Sequence, residues 1–177
     1  LLELPHEEVL RADPQPDGSW SLMRMTHALT KPNGILVSPD HQTVYVAQSH
    51  SEPGRIRELR AYPIREDGTL GPCNVLHQFA EDHRGPQRGV DGMCFDSESN
   101  IIACAGWLQN GPGPLIYVFA PSGRVIETHP MPEGVDRATN CTFGGPDLSV
   151  LYITTGGGGH LFRVPNTGRQ GWSVYPA

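Results

Sequence analysis

The chain has 177 residues and a formal net charge of −6, with 13 Lys and Arg against 19 Asp and Glu. That balance leaves no basic footprint for nucleic acid or an anionic membrane surface, and no apolar run approaches the roughly 18 residues of a spanning helix. Twenty-one Gly and 17 Pro are too many for a helical protein and suit short strands joined by tight turns.

The N-terminal stretch "LLELPHEEVL" lacks the basic flank and long apolar run of a signal peptide, so the chain is expected to be soluble. "VLRADPQPDGSW" (9–20) reads as two strands closed by a turn at Gly18. "KPNGILVSPDHQTVYVA" (31–47) is an apolar strand with a polar head, Asn33, and "LRAYPIREDGTL" (59–70) is a second strand pair turning at Gly68. "EDHRGPQRGV" (81–90) carries His83, Arg84 and Arg88 just ahead of the next head, Asp91, in "DGMCFDSESNIIACA". "GWLQNGPGP" (106–114) follows that inner strand, which would place Trp107 and Asn110 on the face opposite the heads, in structural roles. "IYVFAPSGRVI" turns at Gly123, "TNCTFGGPDLSVLYIT" (139–154) is headed by Asn140, and "LFRVPNTGRQGW" turns at Gly168. The run "TTGGGGH" (154–160) has neither the following helix nor the Lys of a phosphate-binding loop, and reads as a turn between strands.

These elements repeat. Asn33, Asp40 and Tyr45 have the same spacing as Asn140, Asp147 and Tyr152, and the heads Asn33, Asp91 and Asn140 lie 58 and 49 residues apart. The turn glycines recur at about the same interval, and Asp-Gly or Ser-Gly between alternating apolar runs is a strong hairpin signal. Each repeat is therefore a small antiparallel sheet of about four strands, and such units at this period predict β-propeller blades. The expectation is an all-β, six-bladed propeller of which residues 1–177, a single partial domain with blade heads near 33, 91 and 140, supply about three and a half blades. Such a piece leaves two open sheet edges, so its partner is expected to be the missing half of the same protein or a second copy.

In a propeller the innermost strands run in one sense along a central channel, so the heads converge at one mouth. Amide and carboxylate oxygens meeting there suit a hard cation such as Ca²⁺. The competing reading is that Asn-Gly and Asp-Gly are ordinary turn formers whose side chains bond their own backbone. Matched register on consecutive blades favours a metal at Asn33 and Asp91, whereas Asn140, followed by Cys, stays open between the two. Cys73, Cys94, Cys104 and Cys141 have no C-x-x-C spacing and read as free, mostly buried thiols, pointing to a reducing, cytoplasmic setting. Neither G-x-S-x-G nor a Ser-His-Asp order is present, so serine hydrolysis has no support.

"PNGILVSPDHQTVYVA", "VDGMCFDSESNIIACA" and "TNCTFGGPDLSVLYIT" together resemble the SMP-30/gluconolactonase/LRE-like (regucalcin-type) family. The resemblance runs from about Val9 to Val164 and corresponds to the C-terminal half to two thirds of a member. It implies a six-bladed propeller that binds one divalent cation, usually Ca²⁺ (with Zn²⁺, Mg²⁺ or Mn²⁺ as alternatives), and hydrolyses lactones of sugar acids. The Asn of the family's "PNG" motif and the Asp of its "DGM" motif match Asn33 and Asp91 as metal ligands. The family's Glu ligand and its substrate-contacting Arg and Asn from an earlier blade have no counterpart here. Asp91 is the candidate catalytic base, although a carboxylate bound to a dication is a weakened base. Asn140, Arg88 and His83 are candidate additional contacts to a sugar lactone. The alternative is a non-catalytic propeller fragment that binds Ca²⁺ or a protein partner.

Overall fold

Strands that are apolar on both faces must be covered on both, and this decides how the sheets stack. The computed structural model describes residues 7–173, and every regular element within them is a strand. A hairpin of β1 (Leu10–Pro14) and β2 (Trp20–Arg24) is followed by the antiparallel four-stranded sheet β3 (Pro32–Val37), β4 (Thr43–Gln48), β5 (Glu58–Pro63) and β6 (Asn74–Gln78). The short pair β7 (Glu81–Asp82) and β8 (Gly85–Pro86) leads into a second four-stranded sheet, β9 (Val90–Phe95), β10 (Ile101–Ala105), β11 (Leu115–Phe119) and β12 (Val125–Pro130). Last comes a three-stranded sheet of β13 (Ala138–Gly144), β14 (Val150–Thr155) and β15 (Leu161–Val164).

Along β10, Ile101, Ala103 and Ala105 join one core and Ile102 and Cys104 another. β11 divides likewise, with Tyr117 and Phe119 on one side and Ile116 and Val118 on the other. The first core also takes Tyr45 and Leu59 from the β3–β6 sheet and Phe79 just after it, and the second takes Cys141, Leu151 and Ile153 from the β13–β15 sheet. The sheets therefore stack face to face in chain order, with β9 packed between β3 and β13 at one edge of the row. Packing this close is possible only where side chains are absent. A Cβ on Gly34 would stand 2.5 Å from the Asp91 carbonyl oxygen, and one on Gly92 would stand 2.7 Å from that of Thr139. Gly92→Ala is accordingly expected to lose about 1–3 kcal/mol of stability through forced separation of β9 and β13, measured by denaturant unfolding; unchanged stability would mean that the strands yield freely.

The structure departs from the sequence reading in three places. Each headed stretch is not one inner strand but a hairpin of two, β3–β4, β9–β10 and β13–β14, reversing at the left-handed residues His41, Ser99 and Leu148. The repeated Asp is a residue of that turn, because Asp40 and Asp147 accept the N–H two positions on, at 3.0 Å and 3.2 Å. "LFRVPNTGRQGW" does not close as a strand pair: after β15 the chain crosses to the neighbouring sheet, where Gly171 bridges Asp96 and Ser97 donates to the Gln170 carbonyl at 2.7 Å. The third is Trp107, treated with the site. All four cysteines are free, with Cys104 and Cys141 buried, Cys94 half-buried and Cys73 exposed.

Candidate metal and substrate site

Each head sits where its inner strand loses register. In β3, Asn33 and Gly34 stand against the single residue Ala47, between the pairs Pro32–Gln48 and Ile35–Val46. In β9, Asp91 and Gly92 stand against Cys104, between Val90–Ala105 and Met93–Ala103. In β13, Thr139 is the extra residue between Ala138–Thr155 and Asn140–Thr154. A bulge re-aims side chains that a regular ladder would send into the flanking sheets, and here Asn33 and Asp91 are turned toward one another.

Asn33 Nδ2 donates to Asp91 Oδ1 at 2.6 Å, joining residues 58 positions apart. The second carboxylate oxygen of Asp91, Oδ2, accepts from Arg88 Nη1 at 2.7 Å. The Asp91 and Arg88 side chains are 15% and 21% exposed, so this ion pair is far less screened than one on open surface. Asn140 lies against Gly92, but its Oδ1 accepts the N–H of Cys141 at 2.9 Å and so serves its own backbone. His83 is exposed at the tip of the β7–β8 hairpin, outside the cleft, and Arg84 beside it is paired with Asp82 at 2.8 Å.

A cleft of about 520 Å³ opens beside this group, lined by Glu7, Lys31, Asn33, Ser49, His50 and Arg88, among others. Lys31 and His50 gave no sequence signal, since His50 lies outside the repeated stretches and Lys31 opens one of them without a charged counterpart in the others; the Ser49 N–H on the Lys31 carbonyl, at 3.2 Å, and the meeting of the β4 end with the segment before β9 bring them in. His50 donates its backbone N–H to the Arg88 carbonyl at 3.1 Å, and Ser49 Oγ donates to the Val90 carbonyl. Burial, and then the charge of Lys31, holds the His50 pKa below the usual imidazole value. Its Nδ1 accepts the Glu52 N–H at 3.1 Å, so the neutral ring carries its proton on Nε2.

Trp107 was expected on the far face, and the structure reverses that placement. It follows β10, which returns antiparallel to β9, so the loop after Ala105 emerges beside Val90 at the same end as Asp91. The Arg88 guanidinium lies 6.0 Å from the Trp107 ring centroid, within cation–π range. Asn110 packs against Gly85 in that same region.

The donors near Asp91 are hard oxygens, of the kind that hold Ca²⁺ or Mg²⁺ rather than a thiophilic metal. Among the described residues no group of three or more His, Cys, Asp and Glu converges on one point. A cation here would have two protein ligands from this segment, the Asp91 carboxylate and the Asn33 amide oxygen, with the open cleft admitting water to its remaining positions.

Comparison with known proteins gives a consistent result. Residues 5–157 match the family model described as "SMP-30/Gluconolactonase/LRE-like region". The chain is 32% identical to regucalcin of Xenopus laevis over 127 residues, covering 70% of this chain and 36% of that protein. It is 35% identical to 6-deoxy-6-sulfogluconolactonase of Pseudomonas putida over 124 residues, covering 70% and 37%. It superposes on the solved structure of XC5397, described as a gluconolactonase of Xanthomonas campestris, with a TM-score of 0.63 and 35% identity, covering 92% of this chain and 46% of that one. The chain thus spans less than half the length of each of these proteins.

Proposed function

This chain belongs to the SMP-30/gluconolactonase/LRE-like family, and on that premise we propose that it is part of a six-bladed propeller that hydrolyses lactones of sugar acids with the help of a divalent cation, Ca²⁺, held by Asn33 and Asp91. The observation that carries this reading is the meeting of those two side chains at 2.6 Å from neighbouring inner strands, beside a polar cleft.

The remainder of the ring is expected to cover apolar surface that this segment leaves bare. Ile35 pairs with Val46 and Val37 with Val44, so all four project from one face of their sheet. Val44 and Val46 belong to a core that also takes Val9, whereas Ile35 and Val37 are exposed, as are Trp20 and Leu22 on β2. Large apolar side chains left exposed in this way suit a covering partner, and the missing half of the same protein fits that role better than a second copy, given relatives of which the matched region covers less than half. The free thiols favour a cytoplasmic setting.

When bound, the cation supplies Lewis-acid polarisation of the lactone carbonyl and a means of activating the attacking water. Asp91 acts first as a ligand, its two oxygens already engaged by Asn33 and Arg88. His50, neutral and with its proton on Nε2, is a hydrogen-bond donor at the cleft wall, suited to a lactone oxygen. Lys31 and Arg88 are the cationic side chains of a cleft that Glu7 and Glu8 also line, and they are the groups able to meet the carboxylate formed on ring opening.

The test follows hydrolysis of glucono-δ-lactone by the full-length protein in a pH-stat, with Ca²⁺ and after chelation. The expected result is catalysis that disappears with the chelator and returns with added Ca²⁺. A rate no faster than spontaneous hydrolysis under both conditions would overturn the lactonase reading. Calcium binding without catalysis would favour instead the non-catalytic fragment that the bare apolar surface also fits.

A further inference from the structure

We propose that Arg88 is a resident counter-cation for Asp91 that competes with the metal ion, so that loading the site requires Arg88 to move off the carboxylate. The inference rests on the reading of Asn33 and Asp91 as metal ligands.

Both oxygens of Asp91 are engaged by donors. Asn33 presents its amide nitrogen to Oδ1 at 2.6 Å, and Arg88 presents Nη1 to Oδ2 at 2.7 Å. The Asn33 amide nitrogen cannot ligate a cation, and the guanidinium on Oδ2 repels one held by the same carboxylate. With only 15% of its side chain exposed, Asp91 would be costly to leave charged and unpaired. Arg88 therefore supplies the counter-charge that this carboxylate needs. Loading exchanges these partners: the Asn33 amide turns over to offer oxygen in place of nitrogen, and the Arg88 side chain withdraws.

The structure provides somewhere for Arg88 to go. Its backbone is tied down by the His50 N–H on its carbonyl, at 3.1 Å, so the movement is confined to the side chain. That side chain already lies near the Trp107 ring, at 6.0 Å, and borders the cleft. Freed from Asp91, the guanidinium becomes a cationic donor facing the bound substrate. Arg88 thus alternates between a metal surrogate and a substrate contact, and the affinity of the site for metal is set partly by this competition.

The test is calcium titration of the full-length protein by isothermal titration calorimetry, with tryptophan fluorescence as a second readout. Arg88→Met is expected to bind Ca²⁺ about tenfold more tightly, because the competing charge is gone. Arg88→Lys, which keeps the charge, should stay near the original affinity. Calcium should also change the emission of the original protein as the guanidinium moves relative to Trp107, and this change should vanish in Trp107→Phe and in Arg88→Met. Unchanged or weaker binding in Arg88→Met, with binding still weakened about a hundredfold or more by Asp91→Asn, would overturn the competition and leave the metal site standing. Absence of calcium binding in the original protein would overturn both.

Discussion

Asp91→Asn is expected to weaken calcium binding by about a hundredfold or more and to lower kcat/KM for lactone hydrolysis by roughly 10²–10³-fold, since one change removes a first-sphere charge and misplaces the electrophile. Asparagine is nearly isosteric with aspartate and can still bond Asn33, so the fold should survive and the loss can be assigned to chemistry. Isothermal titration calorimetry and initial rates check the two effects separately. The structural reason for so large an effect is that Asp91 is the single carboxylate on the inner-strand heads. Asn33 offers at best a neutral oxygen, and Asn140 has committed its own to the Cys141 N–H. Calcium affinity equal to that of the original protein in Asp91→Asn would remove this carboxylate from the metal site.

Arg169→Ala is expected to cost about 3 kcal/mol of stability and to lower Tm by about 6–12 °C for a domain of this size. Arg169 lies in the segment that crosses between sheets after β15. Its Nη1 donates to Asp96 Oδ2 at 2.7 Å, and its Nη2 donates to Glu127 on β12. Asp96 is almost wholly buried at the β9–β10 turn. Its Oδ1 accepts the Glu98 and Asn100 N–H groups at 3.0 Å and 2.8 Å, and its Oδ2 accepts Asn100 Nδ2 at 2.9 Å. Those hydrogen bonds persist without Arg169, but the counter-charge does not, and a buried carboxylate left unpaired is the costly outcome. Adding Asp96→Asn should therefore recover part of the loss, so that the double variant melts above Arg169→Ala alone. Thermal denaturation followed by circular dichroism checks both; strict additivity of the two substitutions would show that the ion pair contributes little.

The site was partly legible in the repeat. Equivalent heads on consecutive units pointed to Asn33 and Asp91, and they meet. Asn140 shares the spacing and sits beside them, but its side chain closes on its own backbone, which the competing turn reading allowed for. His83 and Arg88 come from one stretch, and no pattern in it distinguishes an exposed hairpin tip from a side chain bonded to Asp91. A headed stretch that ran as one strand would put Trp107 on the far face. Splitting it at the left-handed Ser99 reverses the chain once more and returns the loop to the heads. Lys31 and His50 had no local signature at all.

What the amino-acid sequence determined by itself was local: Gly and Asp at turns, apolar runs buried on both faces, and a unit near fifty residues that could only become stacked antiparallel sheets. Those choices depend on backbone conformations within a few residues and on hydrophobic periodicity, both of which are written in the order of residues. What the tertiary structure decided was the convergence of Asn33, Arg88 and Asp91, the inclusion of His50 and Lys31 in one cleft, and the anchoring of Arg169 between two sheets. These depend on bulges that re-aim side chains and on glycines that let inner strands approach, so they exist only once sheets far apart in the chain have packed.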